Sequence, residues 1–266
     1  MTWVRRADAY PFFDNAGLPL AMAHRGGAGT EANLGLENSM AAFAAAVRLG
    51  FGYVETDVHA TSDGVLLAFH DRSLERTTDL TGLISTLSYR QVQRAVIGGR
   101  EPIPRFEDVL TTWPALRLNV DCKSSQAVEP LVRAIHDHGA EERVCVASFS
   151  ARRLHRLRGR LGPRVATSYA APGVAALRLL PSYPLRRLAA GRGAVAAQVP
   201  VRAGRVQIVT RAFVRRAHAL GKHVHVWTVD DPGEMHRLLD LGVDGIISDR
   251  PDVLKDVFVA RGVWPS

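Results

Sequence analysis

Short runs of β-branched and other apolar residues alternate with longer segments of helical periodicity along the chain. This alternation is typical of βαβ units, which build parallel sheets. The apolar runs predict strands at residues 20–24, 52–58, 116–122, 143–148, 164–168, 195–199, 223–228 and 244–248. The helical periodicity predicts helices at residues 37–49, 126–138, 150–159, 174–190, 210–220, 232–241 and 251–259.

Eight strands with interleaved helices predict an α/β fold. They favour a closed TIM (β/α)8 barrel over an open doubly wound sheet. The chain has 266 residues, a length that such barrels reach as one domain. We therefore expect a single domain over residues 1–266. In the helix predicted at 37–49, Met40, Phe43 and Val47 share one face, and Gly50 follows as a stop signal.

Two segments depart from this alternation. Residues 65–69 have the pattern of an additional strand, joined to strand two by the turn at 62–64. Residues 71–110 follow with little periodicity, and a stretch of that length in a compact domain is usually functional or an inserted subdomain. We therefore predict a small insertion after strand two. The segment 171–194 is apolar, contains several arginines and is interrupted by proline, and its role stays open.

The composition is that of an ordinary globular domain, with 47% hydrophobic and 23% charged residues. The formal net charge is +8, almost all of it from arginine. A basic balance attracts phosphate-bearing substrates, anionic membrane surfaces or nucleic acid. No basic run with interleaved aromatic residues occurs, so we expect no nucleic-acid partner. The composition does not indicate the oligomeric state.

The two cysteines, Cys122 and Cys145, are too few for a disulfide framework. Both lie in β-like runs, which predicts buried, reduced thiols. Residues 1–8 lack the apolar run of a signal peptide. No apolar stretch reaches the roughly 18 residues that a membrane span needs. Together these features predict a soluble, cytoplasmic protein.

Acidic residues mark the ends of two neighbouring predicted strands. Active sites of parallel barrels gather at the C-terminal ends of the strands, where alternate side chains share one side. Glu55 and Asp57 share a side of strand two, and Asp121 and Lys123 share a side of strand three. Three carboxylates in one pocket repel one another unless a cation offsets them. Oxygen ligands suit Mg²⁺ or Ca²⁺, although an ion pair with arginine is the alternative for Glu55 or Asp121.

Two histidines also end strands. His24 ends strand one and His70 ends the additional strand. Neutral imidazole can accept and donate protons near neutral pH, and Arg25 and Lys123 can hold the non-bridging oxygens of a phosphate. A metal ion, two imidazoles and two cationic side chains predict a phosphodiester hydrolase rather than a dehydrogenase or an acyl transferase.

Several further residues have simpler interpretations. His225 on strand seven could face the barrel, either as a site residue or as part of a polar core. Glu37 is interpreted as a first-turn acid that complements the helix dipole. The glycines after Arg25 are interpreted as a flexible loop that lets the backbone approach a phosphate. The remaining histidines outside strand seven lie in helices or exposed stretches and are expected to be solvated: His59, His136, His138, His155, His218 and His236.

These residues form motifs that resemble those of the glycerophosphodiester phosphodiesterase family. The opening motif is His24-Arg25-Gly26-Gly27 followed by Glu37-Asn38-Ser39. The block that follows contains Glu55-Thr56-Asp57-Val58, Thr61-Ser62-Asp63-Gly64, His70-Asp71, Arg76-Thr77-Thr78 and Gly82. The segments 226–229 and 241–251 are similar to the family's closing strands, so the resemblance covers about residues 20–255.

The resemblance implies hydrolysis of a small-molecule glycerophosphodiester, such as glycerophosphocholine, to glycerol 3-phosphate and an alcohol. A neighbouring hydroxyl of the glycerol would attack phosphorus, and water would open the resulting cyclic phosphate. The segment after His70 would cover the site. The implied roles are an acid–base pair of His24 and His70, phosphate ligands Arg25 and Lys123, a pocket residue Trp227, and one divalent cation, Mg²⁺ or Ca²⁺, on Glu55, Asp57 and Asp121.

Three positions depart from the family pattern. Asp121 stands where the family usually has glutamate, so its carboxylate reaches less far and the metal preference can change. Leu36 replaces a proline, and Asp230 replaces a frequent asparagine. None of the three removes a proposed catalytic group.

Two alternative functions stay open. The basic charge and the segment 171–194 suggest lysophospholipase D-type cleavage of lysophospholipids, with peripheral contact to a membrane surface. A non-catalytic barrel that binds phosphate compounds is the less favoured alternative, because it predicts a missing catalytic residue and none is missing.

Overall fold

In the computed structural model, residues 5–190 and 192–265 are described. Within these residues the strands are β1 Leu20–His24, β2 Tyr53–Ala60, β3 Leu66–Ala68, β4 Val96–Ile97, β5 Glu101–Pro102, β6 Arg117–Cys122, β7 Val144–Ala147, β8 Ala166–Thr167, β9 Ala196–Pro200, β10 Arg202–Ala203, β11 Val206–Gln207, β12 His223–Trp227 and β13 Gly245–Ser248. The α-helices are α1 Met40–Arg48, α2 Tyr89–Val92, α3 Phe106–Thr112, α4 Val128–Asp137, α5 Ala151–Leu161, α6 Ala171–Leu179, α7 Tyr183–Ala190, α8 Arg211–Ala219, α9 Pro232–Asp240 and α10 Pro251–Ala260.

Eight of the strands form a parallel barrel. From β8 the sheet runs through β7, β6, β2, β1, β13 and β12 to β9. A parallel bridge between Ser168 and Ala196 joins the two end strands, and the Tyr169 amide donates to the Ala196 carbonyl at 2.9 Å. The barrel is therefore nearly closed, which confirms the predicted α/β TIM-barrel fold.

Alternation along the strands divides the core into two layers. Val54, Val58 and Val120 face outward and pack in the layer beneath the helices. Met22 and Ile247 face inward and fill the barrel. Helical turns at 7–9 and 11–13 close the N-terminal end of the barrel by packing against this inner layer. The predicted site residues lie at the opposite, C-terminal end of the strands.

The insertion after strand two has a hydrophobic cluster of its own. Strand β3 pairs antiparallel with β2, and Leu67 and Phe69 carry the cluster onto the barrel. The segment predicted to have little periodicity, 71–110, contains α2, the hairpin of β4 and β5, and the start of α3. Val92 of α2 and Ile97 of β4 pack in this cluster, whereas Phe106 of α3 packs in the outer layer of the barrel. Leu74, Ile84 and Ile97 are fully buried in the cluster.

Two predicted helix boundaries are wrong. The helix predicted at 174–190 is two helices, α6 and α7, because Pro181 has no N–H and holds Leu180 in an extended conformation at φ −68° and ψ 131°. The helix predicted from residue 37 begins at Met40. Asn38 is left-handed at φ 59°, and the Ser39 side chain caps the helix by accepting from the Ala42 amide at 3.1 Å.

Cys122 and Cys145 are free and buried, as predicted. Among the described residues, the helices are all too short or too polar to cross a membrane. The first four residues, which belong to the segment used to predict the absence of a signal peptide, lie outside the described part of the chain.

The glycines after Arg25 are required by close packing, which corrects the interpretation of a flexible loop. Gly26 has φ +84°, and a Cβ there would lie 2.7 Å from the Ala42 carbonyl carbon. We expect Gly26→Ala to lower the free energy of unfolding by about 2–4 kcal/mol, because left-handed strain adds to overpacking against α1. Urea denaturation measures the loss.

Gly35→Ala is the matched control. Gly35 has φ +75° but open space at the Cβ position, so only the conformational strain applies, about 1–2 kcal/mol. Equal losses in the two variants would show that the close approach of Gly26 to α1 contributes nothing to stability.

Candidate active site

The predicted site residues meet at the C-terminal end of the barrel. They line one cavity of about 630 Å³, although they come from β1, β2, β6, β12 and the segment after β3. The residues brought together are His24, Arg25, Glu55, Asp57, His70, Asp121, Lys123 and Trp227. The structure thus places all of the predicted site residues around the same cavity.

Strand register places the acidic residues side by side. Asp57 on β2 pairs with Asp121 on β6, and Glu55 pairs with Asn119 one pleat below. Residues of the same parity point to the same face of a strand, so all four enter the barrel. Glu55, Asp57 and Asp121 are buried, with exposed fractions of 6%, 1% and 7%.

Two cationic side chains lie against these carboxylates. The Lys123 ammonium bridges Asp57 Oδ1 at 2.9 Å and Asp121 Oδ2 at 2.7 Å. Arg25 Nε lies 3.1 Å from Asp57 Oδ2. Burial favours the neutral form of Asp57, but Lys123 and Arg25 outweigh it and lower the pKa of Asp57 below its usual value. Asp57 is therefore ionised and pairs with both Lys123 and Arg25.

The charges of the other two carboxylates, Glu55 and Asp121, are less well neutralised by neighbouring cationic side chains. Burial, reinforced by the neighbouring Asp57, raises the pKa of Glu55 to about 8. Burial also raises the pKa of Asp121 despite Lys123, and its Oδ1 atom has no hydrogen-bond partner. In the described part of the chain, no three histidine, cysteine or acidic side chains already surround a common metal position. The donor chemistry nevertheless fits a hard divalent cation, which would offset this charge and engage the unpartnered oxygen.

Each of the two histidines is oriented by a carboxylate. His24 Nδ1 lies 2.8 Å from Asp249 Oδ1, and His70 Nδ1 lies 2.6 Å from Asp71 Oδ1. Because a carboxylate accepts, the hydrogen-bond network assigns the proton to Nδ1 and leaves Nε2 available for proton transfer. Burial lowers the pKa of His24, but the charges of Glu55 and Asp249 raise it by a larger amount. The pKa of His24 is therefore above its usual value.

An arginine from the insertion connects the two halves of the site. Arg76 donates to Glu37 at 2.6 and 2.8 Å and to Asp71 Oδ2 at 2.5 Å. Glu37 also accepts from Arg25 at 2.9 Å. The interpretation of Glu37 as a first-turn acid of a helix is therefore wrong, since it precedes α1 and holds two arginines. The insertion thereby fixes both Asp71 and Arg25.

Sequence reasoning missed several supporting residues. Asp249 directly follows β13, so the strand-end rule applied to acidic residues could have found it. Asn38 donates to Asp57 Oδ2 at 3.0 Å and accepts from Thr56 at 2.7 Å. Asn38 belongs to the opening motif of the family, which is the sequence signal that could have indicated this role. Gln198 donates to Asn119 at 2.7 Å across the barrel, a contact that no local pattern indicates.

Two histidines lie differently from the sequence interpretation. His59 was expected to be solvated, but it lies on β2, is buried, and donates from Nε2 to the His70 carbonyl at 3.1 Å. Burial lowers its pKa to about 4. His225 is fully buried in the inner layer, where its ring packs against Phe13, and burial lowers its pKa to about 3. It belongs to the polar core of the barrel.

The hydrogen bond between Asp249 and His24 has a measurable consequence. The carboxylate favours the imidazolium form, so we expect Asp249→Asn to lower the pKa of His24 relative to the unsubstituted protein. An NMR titration of the His24 ring proton measures the shift. Asp252→Asn is the control, because Asp252 pairs with Arg250 on the surface. An unchanged pKa in Asp249→Asn would exclude the carboxylate as a determinant.

Comparison with known proteins shows the family of this chain. The sequence profile of the glycerophosphoryl diester phosphodiesterase family matches residues 24–253. This chain belongs to that family. The match confirms the resemblance derived from the strand-end motifs and the prediction of a phosphoric diester hydrolase.

Relatives of this phosphodiesterase family cover nearly all of the chain. A Mycobacterium tuberculosis protein named "Probable glycerophosphodiester phosphodiesterase 2" is 47% identical over 249 residues, which are 92% of each chain. A Silicibacter pomeroyi crystal structure with the same family description superposes with a TM-score of 0.79 at 22% identity, covering 97% of this chain and 100% of that one. A phosphodiesterase from Oleispira antarctica, solved in complex with the product sn-glycerol-3-phosphate, has a TM-score of 0.76 at 24% identity and covers 92% and 98%.

Proposed function

We propose that this phosphodiesterase hydrolyses glycerophosphodiesters to glycerol 3-phosphate and an alcohol, with His24 and His70 as the acid–base pair. The observation that carries the proposal is the presence of two carboxylate-oriented imidazoles in one cavity with Arg25 and Lys123. The 47% identity to a relative named for this activity supports the substrate class.

Proton transfer follows from the orientation of the two rings. In the first step, a hydroxyl of the glycerol forms a bond to phosphorus while the bond to the alcohol oxygen breaks. One histidine accepts the hydroxyl proton at Nε2, and the other donates a proton to the leaving alcohol. In the second step, water forms a bond to phosphorus, the ring P–O bond breaks, and the two histidines exchange roles. Neither ring is consumed, because each ends in its starting state.

Arg25 and Lys123 are proposed to hold the phosphate. Both side chains are partly exposed to the cavity, at 17% and 19%, while their charged groups pair with neighbouring acids. The contacts with Glu37 and Asp57 hold them in place before substrate binds, which reduces the entropy lost on binding. The Trp227 ring packs edge-on against the Phe149 ring, with the ring centroids 5.8 Å apart. Trp227 is proposed to line the head-group side of the pocket.

We also propose that Glu55, Asp57 and Asp121 hold one divalent cation, Mg²⁺ or Ca²⁺. When bound, such a cation supplies positive charge to the phosphate oxygens as negative charge develops there. The unpartnered Asp121 Oδ1 and the raised pKa of Glu55 support this assignment.

Product release tests the function directly. We expect purified protein with Mg²⁺ or Ca²⁺ to convert glycerophosphocholine to equal amounts of glycerol 3-phosphate and choline, each measured by an enzyme-coupled assay. An analogue without the hydroxyl at the second glycerol carbon is the matched control, and it should not be cleaved by the neighbouring-hydroxyl route. Absence of turnover with either cation, together with retained phosphate binding, would favour the non-catalytic barrel.

A further inference from the structure

One half of the barrel is built from sequence that contains no acidic residue. Between Glu142 and Asp230 the chain has sixteen arginines and one lysine, but neither aspartate nor glutamate. This stretch includes β7, β8, β9 and β12. These four strands are consecutive around the barrel, because β7 pairs with β8, β12 pairs with β9, and the bridge between Ser168 and Ala196 joins β8 to β9. We call residues 143–229 the acid-free half.

The active-site cavity extends into the acid-free half. Its acidic lining residues, Glu55, Asp57 and Asp121, lie on β2 and β6 in the other half. Among the described residues of the acid-free half, Arg178 of α6 is the only charged side chain that lines the cavity. Trp227 ends β12 in the same half. Arg178 therefore lies on the side of the cavity that is proposed for the head group.

Arg178 differs from the other two cationic side chains of the cavity in its partners. Arg25 and Lys123 pair with acidic side chains at 2.7–3.1 Å. In the part of the chain that the structure describes, the Arg178 side chain forms no ion pair or hydrogen bond, and its Nε atom is buried. A buried N–H group without an acceptor is costly, and a bound anion would supply the acceptor.

Neighbouring arginines fix the backbone that carries Arg178. Arg216 of α8 donates to the Arg178 carbonyl. Arg186 of α7 donates to the Leu180 carbonyl at 2.7 Å, and Leu177 is fully buried beneath this turn. The last carbonyls of a helix have no partner within the helix, so these contacts stabilise the last turn of α6. The position of Arg178 is thus set before substrate binds, which reduces the entropy lost on binding.

The charge on this side of the cavity distinguishes between head groups. A cationic head group would find no acidic side chain there and would lie near a guanidinium of the same sign. A neutral head group would leave the charge of Arg178 without a counterion. A carboxylate or a phosphate has two or more oxygens that accept from the planar guanidinium in a bidentate geometry. The side chain therefore favours an oxyanion.

We propose that Arg178 binds a negatively charged group on the head group of the substrate, so that the enzyme favours glycerophosphodiesters whose alcohol carries a carboxylate or a second phosphate. This inference rests on the proposed function and names its substrate class. The phosphate that reacts lies with Arg25 and Lys123, and the second anionic group lies across the cavity against α6.

Two matched pairs of substrates test the proposal. Glycerophosphoserine differs from glycerophosphoethanolamine only by a carboxylate, and glycerophosphoinositol 4-phosphate differs from glycerophosphoinositol only by a phosphate. Release of glycerol 3-phosphate is measured for all four with Mg²⁺ or Ca²⁺ present. We expect kcat/KM to be about tenfold higher for the anionic member of each pair, the contribution of a charge-assisted hydrogen bond at a partly exposed site. A preference in one pair alone would support the site and assign it that anion.

Variants of Arg178 locate the second anionic group. The readout is the ratio of kcat/KM within each pair, so a general loss of activity cancels. Arg178→Gln should bring the ratio close to one, and Arg178→Glu should invert it, because a carboxylate then repels the anionic head group. Arg187→Gln is the matched control and should keep the ratio. Arg187 belongs to the acid-free half, but it is exposed on α7 and does not line the cavity.

The outcomes separate this inference from the proposed function. Equal kcat/KM values within both pairs, with all four compounds cleaved, would overturn the anion site and leave the proposed function intact. A preference that Arg178→Gln retains would also overturn it, as would an equal loss in Arg187→Gln, since the overall positive charge would then be responsible. Failure to cleave any of the four compounds would overturn the proposed function together with the inference.

Discussion

Replacing His24 with alanine is expected to lower kcat for glycerophosphodiester hydrolysis by about 10²- to 10⁴-fold, the usual contribution of a positioned acid or base. The ring is held by Asp249 at Nδ1, and its Nε2 atom lies 3.7 Å from Glu55 Oε2 at the edge of the cavity. Alanine removes the only group of residue 24 that can accept a proton there. Steady-state kinetics measures the loss, and free imidazole should partly restore turnover.

The double variant distinguishes a pair that acts together from two independent contributions. If His24 and His70 each transfer a proton in both steps, removing both should cost little more than removing one. His155→Ala, an exposed position on α5, is the control and should retain full activity. A His24→Ala enzyme within about threefold of the parent kcat would exclude His24 from proton transfer.

Removal of divalent cations is expected to abolish turnover and to lower the melting temperature. A cation that binds only the folded protein stabilises it by about 2.7 kcal/mol at 100 times its dissociation constant. Glu55, Asp57 and Asp121 place three buried carboxyl groups together, and burial raises the pKa of Glu55. Adding Mg²⁺ or Ca²⁺ to chelated protein should therefore raise the melting temperature in a saturable manner, measured by calorimetry without substrate.

The pH dependence of this stabilisation has a definite sign. Burial raises the pKa of Glu55 to about 8, so near neutral pH the carboxyl is largely protonated before the cation binds. Cation binding must displace that proton. We expect the affinity for the cation to increase as the pH rises toward the Glu55 pKa of about 8 and to decrease at lower pH. Isothermal titration in buffers of different ionisation enthalpy measures the proton release.

Asp121→Asn separates cation binding from general stability. The amide keeps one oxygen but loses the charge, so the cation-dependent shift in melting temperature should largely disappear. Asp137→Asn, at an exposed position on α4, is the matched control and should keep the full shift. An unchanged shift in Asp121→Asn would mean that the cation binds elsewhere or not at all.

The sequence by itself determined the barrel and the charged centre of its site. Strand parity is a local property, because side chains two residues apart point to the same face. The alternation therefore predicted that Glu55 and Asp57 share a face, as do Asp121 and Lys123. The barrel rule placed both pairs at one end, and the structure puts all four on one cavity.

Only the tertiary structure decided which distant residues support this centre. Asp249 orients His24 across 225 positions of sequence, and Arg76 of the insertion reaches Glu37 across 39. Such contacts depend on barrel closure and on how the inserted cluster docks, neither of which leaves a periodic signal in the chain. The physical reason is that hydrophobic periodicity reports which face of an element is buried, whereas the partner that buries it is selected by the packing of the whole fold.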